Sequence, residues 1–419
     1  MPDRDATEEA TLSRRRLLSR AAGALGAGIA LGLPSPSDLS AEPQVAPQVP
    51  QDPTKVPGER SRELGERSPF ERPRRRPSTL GGNSTTPHQD LDGIITPADL
   101  HYERHHAGVP GIDPSTYTLL IHGMVERPTV LTLEDLKRFP SVSRILFLEC
   151  SGSFGGAGTT EELPAQRVCG LTSTNEWTGV PLAFLLGEVG AHPDADWFLA
   201  EAQDAAVMTR SIPIEKAWED AIIAYGQNGE AIRPENGYPV RLICPGWEGN
   251  SNVKWLRRLE LSDRPFMTRE ETSRYTDPLK GGKARQFSFV MDARSLITRP
   301  SYPQILSPGW IEIRGLAWSG RGRIARTELS FDEGETWMGA DLQEPILPKA
   351  HTRFRFMWRW DGRETTVLSR AIDETGYVQP TMRELIAARG VGTDYHRNPI
   401  TGWRIREDGA VRYRVEEWA

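Results

Sequence analysis

The chain has 419 residues, 37% of them hydrophobic and 26% charged, with a formal net charge of −6. This length has room for two or three folded units, and the excess of acid argues against nucleic acid as the main partner. Thirty-three prolines and 39 glycines predict many turns and a β-rich architecture.

The first elements in chain order belong to targeting, not to a fold. Ser13-Arg14-Arg15-Arg16-Leu17-Leu18 precedes thirteen residues, Ala21 to Leu33, drawn only from Ala, Gly, Leu and Ile. That is a basic n-region and a short apolar h-region. The run is too short for a membrane span, which needs about 20 residues. It resembles a twin-arginine export signal covering residues 1–41, with cleavage after Leu39-Ser40-Ala41; the plainer reading is a frayed basic helix. Such a route carries folded proteins, so a cofactor inserted in the cytoplasm could travel with the chain. Residues 42–86, rich in Pro, Glu, Arg, Ser and Gln, are expected to form an extended arm or a disordered linker, with a basic patch at Arg72-Pro73-Arg74-Arg75-Arg76.

A first domain is expected over 87–283. Tyr102-Glu103-Arg104-His105-His106 places an arginine beside two histidines. Neighbours on an extended chain face opposite ways, so this pattern favours an anion site over a shared metal. Tyr117 to Val125 predicts a strand, and Thr132-Leu133-Glu134-Asp135-Leu136 a short capped helix. Arg144-Ile145-Leu146-Phe147-Leu148-Glu149-Cys150 predicts a buried strand ending on a cysteine, followed at once by the glycine-rich turn Ser151-Gly152-Ser153-Phe154-Gly155-Gly156. A side chain at such a strand tip is held rigidly above a hollow, which suits a metal ligand or a nucleophile. Val180 to Glu188 predicts a short helix, and Asp196 to Ala200 and Ala221 to Tyr225 further buried elements.

The stretch from Gly237 to Leu261 again runs from a strand into a polar glycine-rich loop, Cys244-Pro245-Gly246-Trp247-Glu248-Gly249-Asn250. Its plain reading is a tight connection. Arg241, Lys254 and the loop's backbone N–H groups would also hold a phosphate-bearing ligand. The chain has three cysteines, Cys150, Cys169 and Cys244, so at least one is free. Cys169 reads as a small core hydrophobe. Residue chemistry leaves Cys150 and Cys244 both open as the reactive one; Pro245, which removes an N–H donor, favours Cys150. No Cys-x-x-Cys-His occurs, so no c-type haem is attached to this chain.

From 284 to 383 the texture changes to short alternating strands. Trp310 to Trp318 and Ile324 to Phe331 alternate, and Phe354, Phe356, Trp358 and Trp360 point one way while Arg353, Arg355 and Arg359 point the other. This predicts an immunoglobulin-like sandwich. The end, Thr381 to Ala419, is expected to mix a short helix with a polar tail containing Tyr395 and His396, and 384–419 to form a C-terminal tail outside the second domain.

These residues resemble the sulfite oxidase family of molybdenum enzymes. The likeness rests on Tyr102 to Pro110, Phe147 to Gly152, Ala224 to Gly229 and Gly237 to Leu256, then on Ile313 to Gly320, Ser330 to Trp337 and Arg370 to Pro380. It implies an α+β chain: a mixed α/β molybdopterin-binding domain followed by an immunoglobulin-like β-sandwich dimerisation domain. It implies that Cys150 ligates molybdenum and that Tyr225, Arg104 and Arg355 form the catalytic pocket. His106, Arg241, Asn252 and Lys254 then bind the pterin and its phosphate. The implied reaction is oxygen-atom transfer from water to a sulfur donor, with electrons leaving singly to a separate c-type cytochrome.

Vertebrate-type members carry a basic pair shortly after the cysteine, where this chain has Phe154 and Gly155. Their Ala-Gly-Asn is Ser151-Gly152-Ser153 here. The first departure favours sulfane sulfur delivered on a carrier protein over free sulfite. The expectation is therefore a periplasmic sulfur (sulfane) dehydrogenase subunit, a homodimer within a hetero-oligomer. A stand-alone sulfite dehydrogenase and an exported immunoglobulin-like scaffold are the alternatives.

Overall fold

Alternation in Thr118–Gly123, Trp197–Ala202 and Leu256–Ser262 puts Leu119, Ile121, Phe198, Ala200, Leu259 and Leu261 into one buried cluster. With Thr129–Thr132 and Thr209–Pro213 these strands form a five-stranded sheet whose central pair, Thr118–Gly123 and Leu256–Ser262, is parallel. A second five-stranded sheet has the order Glu230–Ala231, Ile222–Gln227, Thr172–Pro181, Val142–Glu149, with Arg241–Ile243 paired to Ile222–Gln227. The helices Leu133–Arg138, Leu182–Val189 and Ile214–Glu219 bury Leu136, Leu182, Leu185, Leu186 and Ala217 in the same core. The first of these starts as expected, on a capping box between Thr132 and Asp135.

This computed structural model describes residues 60–78, 82–154, 160–279, 281–390 and 395–415. The chain divides into two units, Met1–Glu66 and Arg67–Ala419. The expected export signal lies outside the described residues. Residues 60–66 are exposed and without regular structure. In the second unit the end of the expected arm joins the fold: Arg76–Pro77 pairs with Asn83–Thr85, which pairs with Glu103–Arg104.

The second half is an eight-stranded antiparallel sheet. Its order is Arg294–Arg299, Gly309–Trp318, Thr352–Trp360, Met338–Gln343, Ile324–Ser330, Thr365–Asp373, Thr401–Ile405, Val411–Tyr413. It folds over so that Arg294–Arg299 packs on Thr365–Asp373 and Thr401–Ile405. Leu296, Ile313, Leu316, Trp318, Leu329, Phe354, Val367 and Trp403 fill the sandwich so formed. The short helix expected after Thr381 is the capped helix Met382–Arg389, and where a tail was expected the chain supplies the last two strands. Trp403 and Tyr413 need the sandwich interior to bury their rings.

The two halves are knitted together beside the cysteine strand. Phe147 N–H donates to Lys349 O at 2.8 Å, and His351 N–H to Thr174 Oγ1 at 3.0 Å. Glu149, wholly buried, accepts from Arg294 Nη1 at 2.5 Å and from Trp318 Nε1 at 2.7 Å. Arg353, on the strand face opposite Phe354 and Phe356, is buried and donates to the carbonyls of Gly93 and Leu91. Its neighbours Arg355 and Arg359 do face outward, with Trp310 (69% exposed) and Met357 (55% exposed).

Candidate active site

The strand Val142–Glu149 delivers Cys150 to the wall of a pocket that is open to solvent. The adjoining wall comes from the loop Gly249–Trp255. A Cβ on Gly249 would lie 2.9 Å from both Glu149 O and Tyr102 Oη and 3.2 Å from Cys150 Cα, so only glycine lets the loop come this close. Burial raises the Cys150 thiol pKa, opposed by the Gly152 N–H and the Arg104 charge. Cys244 is fully buried away from this pocket, and its N–H donates to Asn252 Oδ1 at 2.7 Å. Geometry therefore separates the two cysteines that residue chemistry left open. Cys169 is buried as expected, but its Sγ accepts from Arg294 at 3.1 Å.

Arg104, His106, Arg241, Asn252 and Lys254 all line the same pocket. The Arg241 guanidinium donates to Asn236 O and Asn252 O, and its Nε has no partner. Lys254 Nζ donates to Glu235 O at 2.8 Å. Among the described residues neither cation has a carboxylate within 4.0 Å. Burial, and then the Arg241 charge, hold the Lys254 ammonium down to about 7. Two cations without a counter-ion, one with an orphaned donor, make a site that wants an anion. The Asn252 side chain is spent inside the loop, on Cys244 N, Trp247 O and Glu248 O, so it shapes the wall. Burial, then Arg104 and Arg269, hold His106 down to about 4, so its ring is neutral near pH 7.

Two expected residues stand elsewhere. Tyr225 sits at the irregularity between Ala224 and Gly226, where Ile222–Gln227 slips against Thr172–Pro181. That turns its ring onto the first domain's core instead of the pocket. Arg355 lies on the outer face of the second-domain sheet, 3.9 Å from Glu312. Strand alternation carries it away from the pocket.

Two tyrosines do line the pocket, Tyr102 and, just past the helix Arg269–Ser273, Tyr275. Its Oη is 3.5 Å from His106 Nε2, its ring lies under the Arg210 guanidinium at 5.1 Å, and Tyr395 packs against it at 5.3 Å. Burial, then the Cys150 charge, raise the Tyr275 phenol, and Arg104 opposes them. The phenol thus stays a donor. Locally Tyr275 is marked only by its aromatic type and the acidic, capped helix before it. The second domain does reach the site, through Tyr395 and His396 in the segment expected to be a tail.

Among the described residues no group of three His, Cys, Asp or Glu side chains could hold a metal alone. A metal here needs Cys150 plus ligands from a bound organic group. A soft thiolate beside Arg241 and Lys254 fits a metal carried on a phosphorylated pterin. Known proteins agree. The oxidoreductase molybdopterin binding domain matches residues 106–270, and the Mo-co oxidoreductase dimerisation domain matches 285–402. The sulfane dehydrogenase SoxCD from Paracoccus pantotrophus is 41% identical, with a TM-score of 0.78 over 92% of this chain and 100% of that one. Mouse mitochondrial sulfite oxidase is 29% identical over 73% of this chain and 61% of its own length. A barley NAD(P)H nitrate reductase is 31% identical over 64% of this chain, which spans only 33% of that protein. The Ulva prolifera NADH nitrate reductase is 29% identical over 72% of this chain, which spans 40% of it. With both domains matched in order, this chain belongs to the sulfite oxidase family of molybdopterin oxidoreductases.

Proposed function

We propose that this chain is the molybdenum-bearing subunit of a periplasmic sulfur (sulfane) dehydrogenase, oxidising sulfur held on a carrier protein and passing electrons to a c-type cytochrome. The observation that carries this reading is the turn after Cys150. Ser151, Ser153 and Phe154 are buried there, and the described part of the turn brings no cation to the pocket. A small doubly charged anion would meet few counter-charges, whereas sulfur on a neutral thiol arm needs few. The 41% identity to a sulfane dehydrogenase, across nearly the whole chain, supports the same choice.

Molybdopterin, when bound, supplies a metal that takes up an electron pair and exchanges an oxygen atom with water. Cys150 is the thiolate ligand in this reading, and Arg241 and Lys254 hold the phosphate. Arg104, on the pocket wall, offsets negative charge developing at the sulfur donor. Tyr275 keeps its proton and orients an oxygen by donating to it, and neutral His106 fixes the phenol from behind. Tyr225 has no place in this chemistry.

The basic n-region and apolar run of residues 1–41 support export, and no helix among the described residues is long and apolar enough to cross a membrane. The outward face bearing Trp310, Arg355, Met357 and Arg359 lies within the segment matched by the dimerisation model and suits a second copy of the chain. Purification from the native host, with molybdenum and haem measured on the complex, tests the assignment. Molybdenum and haem together, with turnover of carrier-bound sulfane sulfur, are expected. Rapid sulfite oxidation by the isolated chain would make it a sulfite dehydrogenase instead. A chain without molybdenum, made in a cofactor-competent host, would sink both.

A further inference from the structure

The turn after Cys150 is held by a closed circuit of buried polar groups. Ser151 O accepts from His396 N–H at 2.9 Å. The His396 ring donates from Nε2 to Glu248 Oε2 at 3.0 Å. The other Glu248 oxygen accepts from Arg210 Nη2 at 3.1 Å. Arg210 Nη1 donates to Asn250 Oδ1, and Asn250 Nδ2 donates to Ser151 Oγ at 3.3 Å. Glu248, Arg210, Ser151 and His396 are all buried. Three of the five residues come from the first domain's loops and one from its strand Thr209–Pro213; only His396 comes from the C-terminal segment.

We propose that His396 is a positioning residue of the oxidoreductase site, closing this circuit so that the turn carrying Cys150 and the Tyr275 ring keep one fixed relation. The proposal rests on the reading of the pocket given above. His396 touches neither the cysteine nor the pocket space; it acts through its neighbours. Its N–H anchors the carbonyl that follows Cys150. Its ring holds Glu248, which with Glu271 (3.1 Å from Arg210 Nε) fixes the guanidinium under which Tyr275 stacks. The backbone is bent to serve these contacts, since His396 has φ +54, a conformation uncommon for a side-chain-bearing residue. It is braced by Arg389 Nη1 donating to His396 O at 2.6 Å, with Arg389 tied in turn to Asp292. Tyr395, the preceding residue, lays its ring against Tyr275. The second domain therefore sets the geometry at the metal ligand, although none of its strands reaches the pocket.

Three variants of the full chain with its electron-accepting partner test this: His396→Ala, His396→Gln, and Asn398→Ala. The last removes an anchor of the same segment, which donates to Ala293 O, outside the circuit. His396→Gln keeps an N–H for Glu248. His396→Ala should lower kcat about tenfold or more with KM within about threefold, as loss of orientation does. It should also change the Mo(V) electron paramagnetic resonance signal of dithionite-reduced protein. His396→Gln should stay within about threefold of the parent and keep its signal. Asn398→Ala should shift the melting midpoint without moving the signal. The proposal is overturned if Ala and Gln variants lose activity together in step with their melting points, or if neither the signal nor kcat moves. Hydrogen exchange at the Ser153 amide, which donates to Cys150 O, reads the circuit in protein with or without molybdenum. Faster exchange in His396→Ala alone is expected, and unchanged exchange overturns the proposal. A parent enzyme that turns over no sulfur donor refutes the proposed function, while the Mo(V) signal and the Ser153 exchange still test the role of His396.

Discussion

Arg294→Met should destabilise the protein by about 3–5 kcal/mol, the cost of stripping one partner from a buried ion pair. Glu149 is wholly solvent-inaccessible, and its carboxylate is held by Arg294 Nη1 at 2.5 Å and Trp318 Nε1 at 2.7 Å. Without the guanidinium, the remaining donors are the tryptophan N–H and the Cys169 thiol, 3.6 Å away. Methionine follows the arginine stem closely, so a cavity adds little. At about 2.1 cal/mol/K per residue over the roughly 350 residues from Arg67 on, each kcal/mol shifts the midpoint by about 1.4 °C. The expected fall is therefore about 4–7 °C. Thermal and urea unfolding, followed by tryptophan fluorescence and circular dichroism, measure it. Glu149→Gln alone should also destabilise, because it leaves Arg294 buried with only a thiol and an amide. The double variant Arg294→Met/Glu149→Gln should cost less than the two singles together, with a coupling of about 2 kcal/mol or more. A midpoint for Arg294→Met within about 1 °C of the parent, or strict additivity in the double variant, would refute this account of the inter-domain contact.

Cys150→Ser should leave the melting midpoint within about 2 °C, since the side chain is small and only half-buried. It should also abolish turnover and lower the bound molybdenum measured by elemental analysis. Tyr275→Phe should reduce kcat by about 10²-fold, the usual scale for a positioned donor, whereas Tyr225→Phe should stay within about twofold; steady-state kinetics on both variants decides between the two tyrosines. Lys254, held down to about 7, binds its proton less tightly folded than unfolded. The unfolded chain therefore binds more protons above pH 7. Cofactor-free protein should gain about 1–2 kcal/mol of stability between pH 7 and 8.5, and Lys254→Met should remove that slope in denaturant titrations.

Much of the candidate site was legible because it lies in two continuous stretches. Cys150 ends a strand whose apolar run is visible by inspection, and Arg241 to Lys254 is one strand and its loop. The family likeness then tied Arg104 and His106 to the same place, and the structure puts all of them around one pocket. Tyr225 was misplaced for a physical reason. It follows an apolar strand and precedes an Asn-Gly turn, as an active-site residue could, but it sits at a register slip and its half-buried ring packs against the core. Arg353 and Arg355 have the same type and parity in one strand; one is buried against the carbonyls of Leu91 and Gly93, the other exposed. Periodicity assigns a face, and only the neighbouring domain decides whether that face is covered.

By itself the sequence determined the elements and the chemistry each could offer: a rigid cysteine, a phosphate-ready loop, and a sandwich of alternating strands. Those features are local, written in spacings of two to four residues. Only the tertiary structure decided which groups meet. Tyr275 and His396 come to the site from 125 and 246 residues beyond Cys150, through a helix terminus and a segment held by a second domain's sheet. No spacing encodes that approach. It follows from how two cores, each burying its own apolar faces, pack against one another around the buried charges of Glu149, Glu248 and Arg210.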